Sequence, residues 1–315
     1  MTFKILVSDG LSEDGLVLLR TAGEVTVQPK ITPEELLAAL PAYHALVVRS
    51  RTKVAAQVVQ AGTNLKVIGR AGVGVDNIDV AAAVARGITV VNSPLAASVS
   101  VAEHTLGLML ALARLVPAAD ASMKQGKWEK SAFMGTELSG KTLGLLGLGR
   151  IGALVANRAV AFGMRVIAYD PYLNQAQIRE RNAEPAKFDE VIAKSDYISL
   201  HLPLSRETRG LLGAQQLEKM KTGARLVCAA RGGVIDEAAL RAALDSGRLA
   251  GAALDVFADE PPAPGSIAAH PRVIASPHVG AQTLEAQGRA GLMIAEEVLA
   301  VLEGKAPRWK VTANE

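Results

Sequence analysis

Apolar residues recur along this chain in two alternating rhythms. Short runs rich in Val, Ile, Leu and Ala are separated by longer Ala/Leu-rich stretches whose apolar positions repeat at helical spacing. In the first part of the chain the short runs predict strands over 4–8, 25–28, 45–49, 66–70 and 89–92. Helices are predicted between them, over 33–40, 54–61 and 79–86 among others. A second series of strands follows over 143–148, 165–169, 197–202, 225–229, 251–255 and 273–275, again with helical stretches between. Strand and helix in strict alternation predict βα units and parallel sheets, here two doubly wound units in tandem. Helix starts carry their usual marks: Ser12 before Glu13 and Asp14, and Thr32 before Pro33, Glu34 and Glu35. A last helix is predicted over 283–303 and is expected to cross back to the first unit.

Composition narrows the class. A chain of 315 residues that is 50% apolar can bury the cores of two domains. Net charge is +3, the basic residues are dispersed and aromatics are 3%, so no nucleic-acid partner is expected. The single cysteine, Cys228, excludes an intrachain disulfide and suits a reducing, cytoplasmic compartment. The N-terminus reads as a first strand and not as a signal peptide. The apolar helix predicted over 98–116 is interrupted by Glu103, His104 and Arg114, which suits a buried or interface helix, and no membrane association is expected.

The strand from Thr142 runs directly into Gly147-Leu-Gly149-Arg150-Ile151-Gly152 and then into a helix. An acid, Asp170, closes the next apolar run about 20 residues on. A strand, three glycines at this spacing, a helix and a following acid together predict a dinucleotide site. Gly147 permits the tight turn, Gly149 lets a pyrophosphate approach the backbone, and Gly152 lets the helix pack closely. The phosphates meet free N–H groups at the helix N-terminus. A carboxylate in the position of Asp170 bonds a ribose diol and repels a 2′-phosphate, which favours NAD over NADP.

Three polar groups follow strands of the second unit: Arg231, Glu260 and His278. Doubly wound sheets place ligands on that side. The set suits alcohol oxidation. His278 takes the hydroxyl proton as general base, Glu260 bonds the far ring nitrogen, and Arg231 grips a carboxylate at two points. His44, His104, His201 and His270 read as ordinary core or surface histidines. The first unit has no glycine fingerprint and is expected to supply substrate contacts.

These segments carry a resemblance. The stretches 147–152, 230–236, 253–261 and 276–281 resemble the D-2-hydroxyacid dehydrogenases, and the resemblance extends from about residue 3 to 305. It implies a Rossmann cofactor domain, 96–282, inserted in a flavodoxin-like substrate domain, 1–95 and 283–315, with a dimerisation arm near 98–140. It implies a homodimer or a dimer-based homo-oligomer. By resemblance Arg231, Glu260 and His278 are catalytic, and Arg150 and Ile151 meet the pyrophosphate. Leu202, Ala229, Ala230 and Asp255 line the nicotinamide half, with Gly280 and Ala281 beside the cofactor. Asp255 positions the carboxamide. Val73 and Gly74 offer backbone N–H groups to the substrate carboxylate.

The resemblance is strongest to the branch that oxidises 3-phospho-D-glycerate to 3-phosphohydroxypyruvate with NAD, on the route to serine. That branch holds a phosphorylated 2-hydroxy acid, and 48–53, Val-Arg-Ser-Arg-Thr-Lys, resembles its phosphate site. Arg49 and Arg51, two apart in extended chain, are expected to point the same way and to converge on one dianion. After the Trp128-Glu129 pair only Lys130 is available as a cation for a partner subunit. The chain ends shortly past its last helix, so no serine inhibition through a C-terminal regulatory domain is expected. The alternatives are a glyoxylate or hydroxypyruvate reductase of the same family and, further off, an NAD-sensing binding protein of the corepressor kind.

Overall fold

The structure, a computed structural model, describes residues 2–312. The chain forms two compact units, Met1–Ser98 with Ala281–Glu315, and Val99–Gly280.

The first unit holds five parallel strands: β1 (Phe3–Val7), β2 (Gly23–Val27), β3 (Ala45–Val48), β4 (Val67–Arg70) and β5 (Thr89–Asn92). Their order is β2-β1-β3-β4-β5. Helices α1 (Glu13–Arg20), α2 (Pro33–Ala39), α3 (Ala56–Ala61) and α4 (Val80–Ala85) connect them. Ile5 and Val7 pack into one apolar cluster while Leu6 packs into another. The pleat sends alternate residues to opposite faces, and both faces are covered at the centre of the sheet, which is why β3 is apolar and buried throughout while the edge strand β2 is not. Ser12 caps α1, and Thr32 forms a reciprocal capping box with Glu35 on α2. The strand predicted over 45–49 stops at Val48, because the Arg49 N–H donates to the Asp9 carboxylate at 2.7 Å.

The second unit opens with α5 (Ser98–Arg114) and α6 (Val116–Lys124). One continuous helix was expected over 98–116, but the chain bends by 65° at Leu115, which is left-handed at φ 56°. Pro117 has no N–H to return to the Ala113 carbonyl, and that oxygen accepts from the Thr136 N–H at 2.8 Å instead. Seven parallel strands follow: β6 (Thr142–Leu146), β7 (Arg165–Tyr169), β8 (Glu184–Pro185), β9 (Tyr197–Leu200), β10 (Ala224–Cys228), β11 (Leu249–Leu254) and β12 (Val273–Ala275). Between them run α7 (Arg150–Ala161), α8 (Gln175–Glu180), α9 (Phe188–Lys194), α10 (Ala214–Lys219) and α11 (Glu237–Asp245). The two-residue strand β8 was not anticipated. The order is β12-β11-β10-β9-β6-β7-β8, so β6 has β7 on one side and β9 on the other. The winding reverses at β6, and such a switch point opens a crevice at the strand's carboxyl end.

The chain then returns to the first unit as α12 (Leu284–Leu302), which packs on α1, β4 and β5. Among the described residues no single helix is long and apolar enough to cross a membrane.

Candidate active site

The glycine turn sits at the carboxyl end of β6. Gly147 has φ +88°, and a Cβ there would lie 2.5 Å from the His201 carbonyl oxygen and 2.9 Å from Leu202 Cδ2. Only glycine fits both the dihedral and the space. The Gly147 N–H donates to the Tyr169 carbonyl at 2.9 Å, tying the turn to the end of β7. A Cβ on Gly152 would run into the Gly147 carbonyl oxygen, so α7 starts directly on the turn. Gly149, by contrast, is exposed and faces open space at the N-cap of α7. The start of α7, with Arg150 and Ile151 as its first helical residues, is positively polarised as helix N-termini are. Asp170 ends β7 beside the turn. Its Oδ2 accepts from the Leu148 N–H at 2.8 Å and its Oδ1 from the Tyr172 N–H at 3.0 Å. An open, positively polarised helix start with a carboxylate next to it fits a dinucleotide whose ribose carries a free diol.

The three polar groups expected to act together follow β10, β11 and β12. His278 Nδ1 lies 2.8 Å from Glu260 Oε2, and Glu260 Oε1 accepts from the Phe257 N–H at 3.2 Å. With Nδ1–H donated to the carboxylate, Nε2 of the neutral ring is left as the acceptor. Both side chains are about half exposed, so the pair serves orientation more than stability. Arg231 Nη1 donates to its neighbour's Ala230 carbonyl at 2.7 Å. A Cβ on Gly232 would collide with the Phe257 carbonyl, so the Arg231 loop lies against the loop that carries Glu260.

His278 is left-handed, at φ 53°. A non-glycine residue holds this conformation only where its surroundings over-determine it. Here the holder is Asp255, which is 1% exposed. Its Oδ1 accepts from Ser276 Oγ at 2.6 Å and from the Val279 N–H at 2.9 Å, and its Oδ2 accepts from the Gly280 N–H at 2.8 Å. His104 on α5 reaches the same group, with Nε2 at 3.1 Å from Ser276 Oγ and 3.3 Å from Asp255 Oδ1. Burial pushes Asp255 upward, but the bonds from His104, Ser276, Val279 and Gly280 outweigh it and hold the carboxyl below its usual range. By sequence His104 reads as an ordinary histidine, and its pairing with Ser276 is not legible there, since the two lie 172 residues apart. Leu202 lies against Gly147, and Ala229 and Ala230 continue β10 toward Arg231. Cys228 is buried, with its thiol pushed up to about 11 by desolvation, and is chemically quiet. Ala281 opens the return to the first unit, its carbonyl accepting from Gln287 Nε2 at 2.8 Å.

In the first unit the chain bends after Val48, so Arg49 and Arg51 do not share an extended strand. Asp9, with its side chain 3% exposed, gathers their loop. It accepts from the N–H groups of Arg49 and Thr52 at 2.7 and 3.0 Å, from Thr52 Oγ1 at 2.5 Å and from Arg51 Nε at 3.0 Å. Arg51 also donates to the Ser8 carbonyl at 2.5 Å. Arg49 is tied only loosely, to Gln282 Oε1 at 3.4 Å, and burial lowers its affinity for its proton. Asn77 donates to the carbonyls of Arg49 and Thr52 at 2.8 and 2.6 Å. Asn92 holds the Val73 carbonyl at 2.6 Å, which fixes the backbone leading into Gly74.

A seven-stranded doubly wound sheet that carries this turn is a dinucleotide-binding fold, here with a His–Glu pair after its last two strands. The profile of the D-isomer specific 2-hydroxyacid dehydrogenases, NAD binding domain, matches residues 106–280, and the chain belongs to that family. Its NAD-binding domain is the second unit's sheet and turn. A D-3-phosphoglycerate dehydrogenase of Archaeoglobus fulgidus is 49% identical over 303 residues, 96% of this chain and 58% of that protein. The chain thus spans little more than half the length of that relative. The TT0316 protein of Thermus thermophilus superposes with a TM-score of 0.89 at 37% identity, over 98% of this chain and 100% of that one. A glyoxylate reductase from Paecilomyes thermophila also gives 0.89, at 30% identity over 100% and 99% of the two chains.

Proposed function

We propose that the protein oxidises 3-phospho-D-glycerate to 3-phosphohydroxypyruvate with NAD, and catalyses the reverse reduction. The observation that carries the chemistry is the His278–Glu260 bond at the carboxyl edge of the dinucleotide-binding sheet. NAD, held by the glycine turn and Asp170, would supply the acceptor for the hydride that leaves the substrate C2. His278 Nε2 takes the proton of the C2 hydroxyl, and the C–O bond becomes a carbonyl. Glu260 keeps the ring in the tautomer that leaves Nε2 open and favours the imidazolium once it forms. Arg231 holds the carboxylate and polarises the adjacent C2 oxygen. Asp170 takes the adenosine ribose, and the first turn of α7, at Arg150 and Ile151, takes the pyrophosphate. Leu202, Ala229, Ala230, Gly280 and Ala281 enclose the nicotinamide half. Asp255 organises that wall, since its carboxylate already ties Ser276, Val279 and Gly280. In the first unit, Val73 and Gly74 are the candidates to offer N–H groups to a carboxylate, and Arg49, with Arg51 beside it, is the candidate to take a phosphate.

Two further readings belong to the same proposal. The arm after α5 leaves Val116, Met123, Trp128 and Met134 more than half exposed, and we assign this apolar surface to a second copy of the chain. A lone buried thiol suits the cytoplasm.

The substrate rests on relatives named D-3-phosphoglycerate dehydrogenase and on Arg49. Reduction of an unphosphorylated 2-oxo acid is the second reading, favoured by the engagement of Arg51 with Asp9 and by the glyoxylate reductase neighbour. Steady-state kinetics with NADH separate the two. Efficiency is expected to be higher on 3-phosphohydroxypyruvate than on hydroxypyruvate or glyoxylate. Arg49→Ala should cut only that advantage, by roughly 10–100-fold, the worth of charged hydrogen bonds. Higher kcat/KM on either unphosphorylated acid would give the reductase reading preference.

A further inference from the structure

We infer that His104 is a positioning residue for the general base, the outermost link of a chain that runs from α5 through Ser276 and Asp255 to the loop of His278. The inference rests on the reading of His278 as the group that moves the proton.

Proton accounting fixes the direction of this chain. Ser276 has one hydroxyl hydrogen, and it is donated to Asp255 Oδ1 at 2.6 Å. At 3.1 Å from His104 Nε2, the same oxygen therefore accepts, and His104 Nε2 carries the hydrogen. That hydrogen also faces Asp255 Oδ1 at 3.3 Å, which has no proton of its own to give. So His104 donates into a serine–aspartate pair that in turn receives the Val279 and Gly280 N–H groups. His278 sits between the two anchored ends, two residues after Ser276 and one before Val279, in the left-handed conformation.

The packing agrees with the bonding. A Cβ on Gly280 would lie 3.1 Å from Asp255 Oδ2, 3.5 Å from Val101 Cγ2 and 3.7 Å from His104 Cδ2. The end of the catalytic loop is thus seated on α5 at the turn that carries His104. Asp255 is held by α5 on one side and holds the loop on the other. Without the His104 donor, the Ser276 oxygen loses the N–H that it accepts, and the serine–aspartate pair loses its tie to α5.

Three full-length variants test this: His104→Leu, His104→Gln, which keeps an N–H donor near Nε2, and His278→Ala. The first readout is amide hydrogen exchange at Val279 and Gly280 in the ligand-free protein. The second is kcat and KM with NADH and 3-phosphohydroxypyruvate, with Tm measured alongside. In His104→Leu, exchange at both amides should rise and kcat should fall, each about 10-fold or more, with KM for NADH changed less than about 2-fold. His104→Gln should return both to within about 3-fold of the parent. Unchanged exchange and kcat in His104→Leu would overturn the inference. So would a His104→Gln variant as impaired as His104→Leu, which would reduce His104 to shape. Turnover retained by His278→Ala would remove the base assignment and the anchor's purpose together. An inactive His278→Ala beside an unaffected His104→Leu would remove the anchor alone.

Discussion

Asp170 is already bonded on both oxygens, to the N–H groups of Leu148 and Tyr172, yet each oxygen keeps a lone pair for a further donor. The backbone bonds place the charge, and the spare lone pairs remain for the ribose that the proposed function puts there. Arg181 strengthens this placement by donating to the Leu148 carbonyl at 2.5 Å, gripping the same residue from the other side. Two substitutions separate charge from geometry. Asp170→Asn keeps an oxygen for the Leu148 N–H but loses the negative charge, and Asp170→Ala loses both. A charged hydrogen bond is worth about 1.5–3 kcal/mol, so NADH should bind roughly 10–100-fold more weakly to the Ala variant. NADPH should gain on NADH in both variants, because the repulsion of a 2′-phosphate is gone. Cofactor titrations check this. An unchanged NADH/NADPH ratio in Asp170→Asn would mean that another group discriminates the ribose.

At the scale of elements, the glycine turn makes two demands that the same substitution can tell apart. Gly152→Ala places a methyl against the Gly147 carbonyl and must push α7 off β6, at about 1–3 kcal/mol. Gly149→Ala meets open space and leaves packing alone, but puts a methyl where the proposed function brings the pyrophosphate. Gly152→Ala should therefore lower Tm, whereas Gly149→Ala should keep Tm and weaken NADH binding. Calorimetry and a fluorescence titration report the two, and a stable Gly152→Ala protein would show that α7 has slack. The glycines were legible because their spacing is local. Strands β5, β7 and β12 were legible to the residue for the same reason: an apolar run bounded by turn residues suffices. The break at Leu115 had a local sign in Pro117, which the continuous apolar pattern over 98–116 masked, whereas the partner that takes the freed Ala113 carbonyl, Thr136, lies far along the chain and was not legible. Nor was β8, since Glu184 and Pro185 are poor strand formers that pair only because β7 offers an edge.

At the scale of the molecule, each unit ties a polar loop to one buried aspartate, Asp9 in the first and Asp255 in the second. The positions of Arg231, Glu260 and His278 after their strands could be read from the chain, whereas these aspartates' partners are set by tertiary packing and could not. Both carboxyls are held below their usual range even though burial pushes each of them up, by Thr52 and its neighbours for Asp9 and by His104 and its neighbours for Asp255. Their contribution is complete above the ordinary carboxylate pKa and drains only as pH falls through their lower folded values. His201 acts in a different window. It follows β9, its Nε2 lies 3.0 Å from Ser199 Oγ, and desolvation lowers its pKa from 6.5 to about 4. Between those values the unfolded chain binds a proton that the folded chain refuses, so stability falls as pH falls through that window. Each pH unit is worth about 1.4 kcal/mol, which makes the loss about 2 kcal/mol at pH 5. Urea unfolding at pH 7 and pH 5 measures it as a drop in midpoint. His201→Gln, which keeps a donor toward Ser199 and cannot titrate, should show a correspondingly smaller drop between the two pH values. An equal drop in parent and variant would assign the acid sensitivity to a group other than His201.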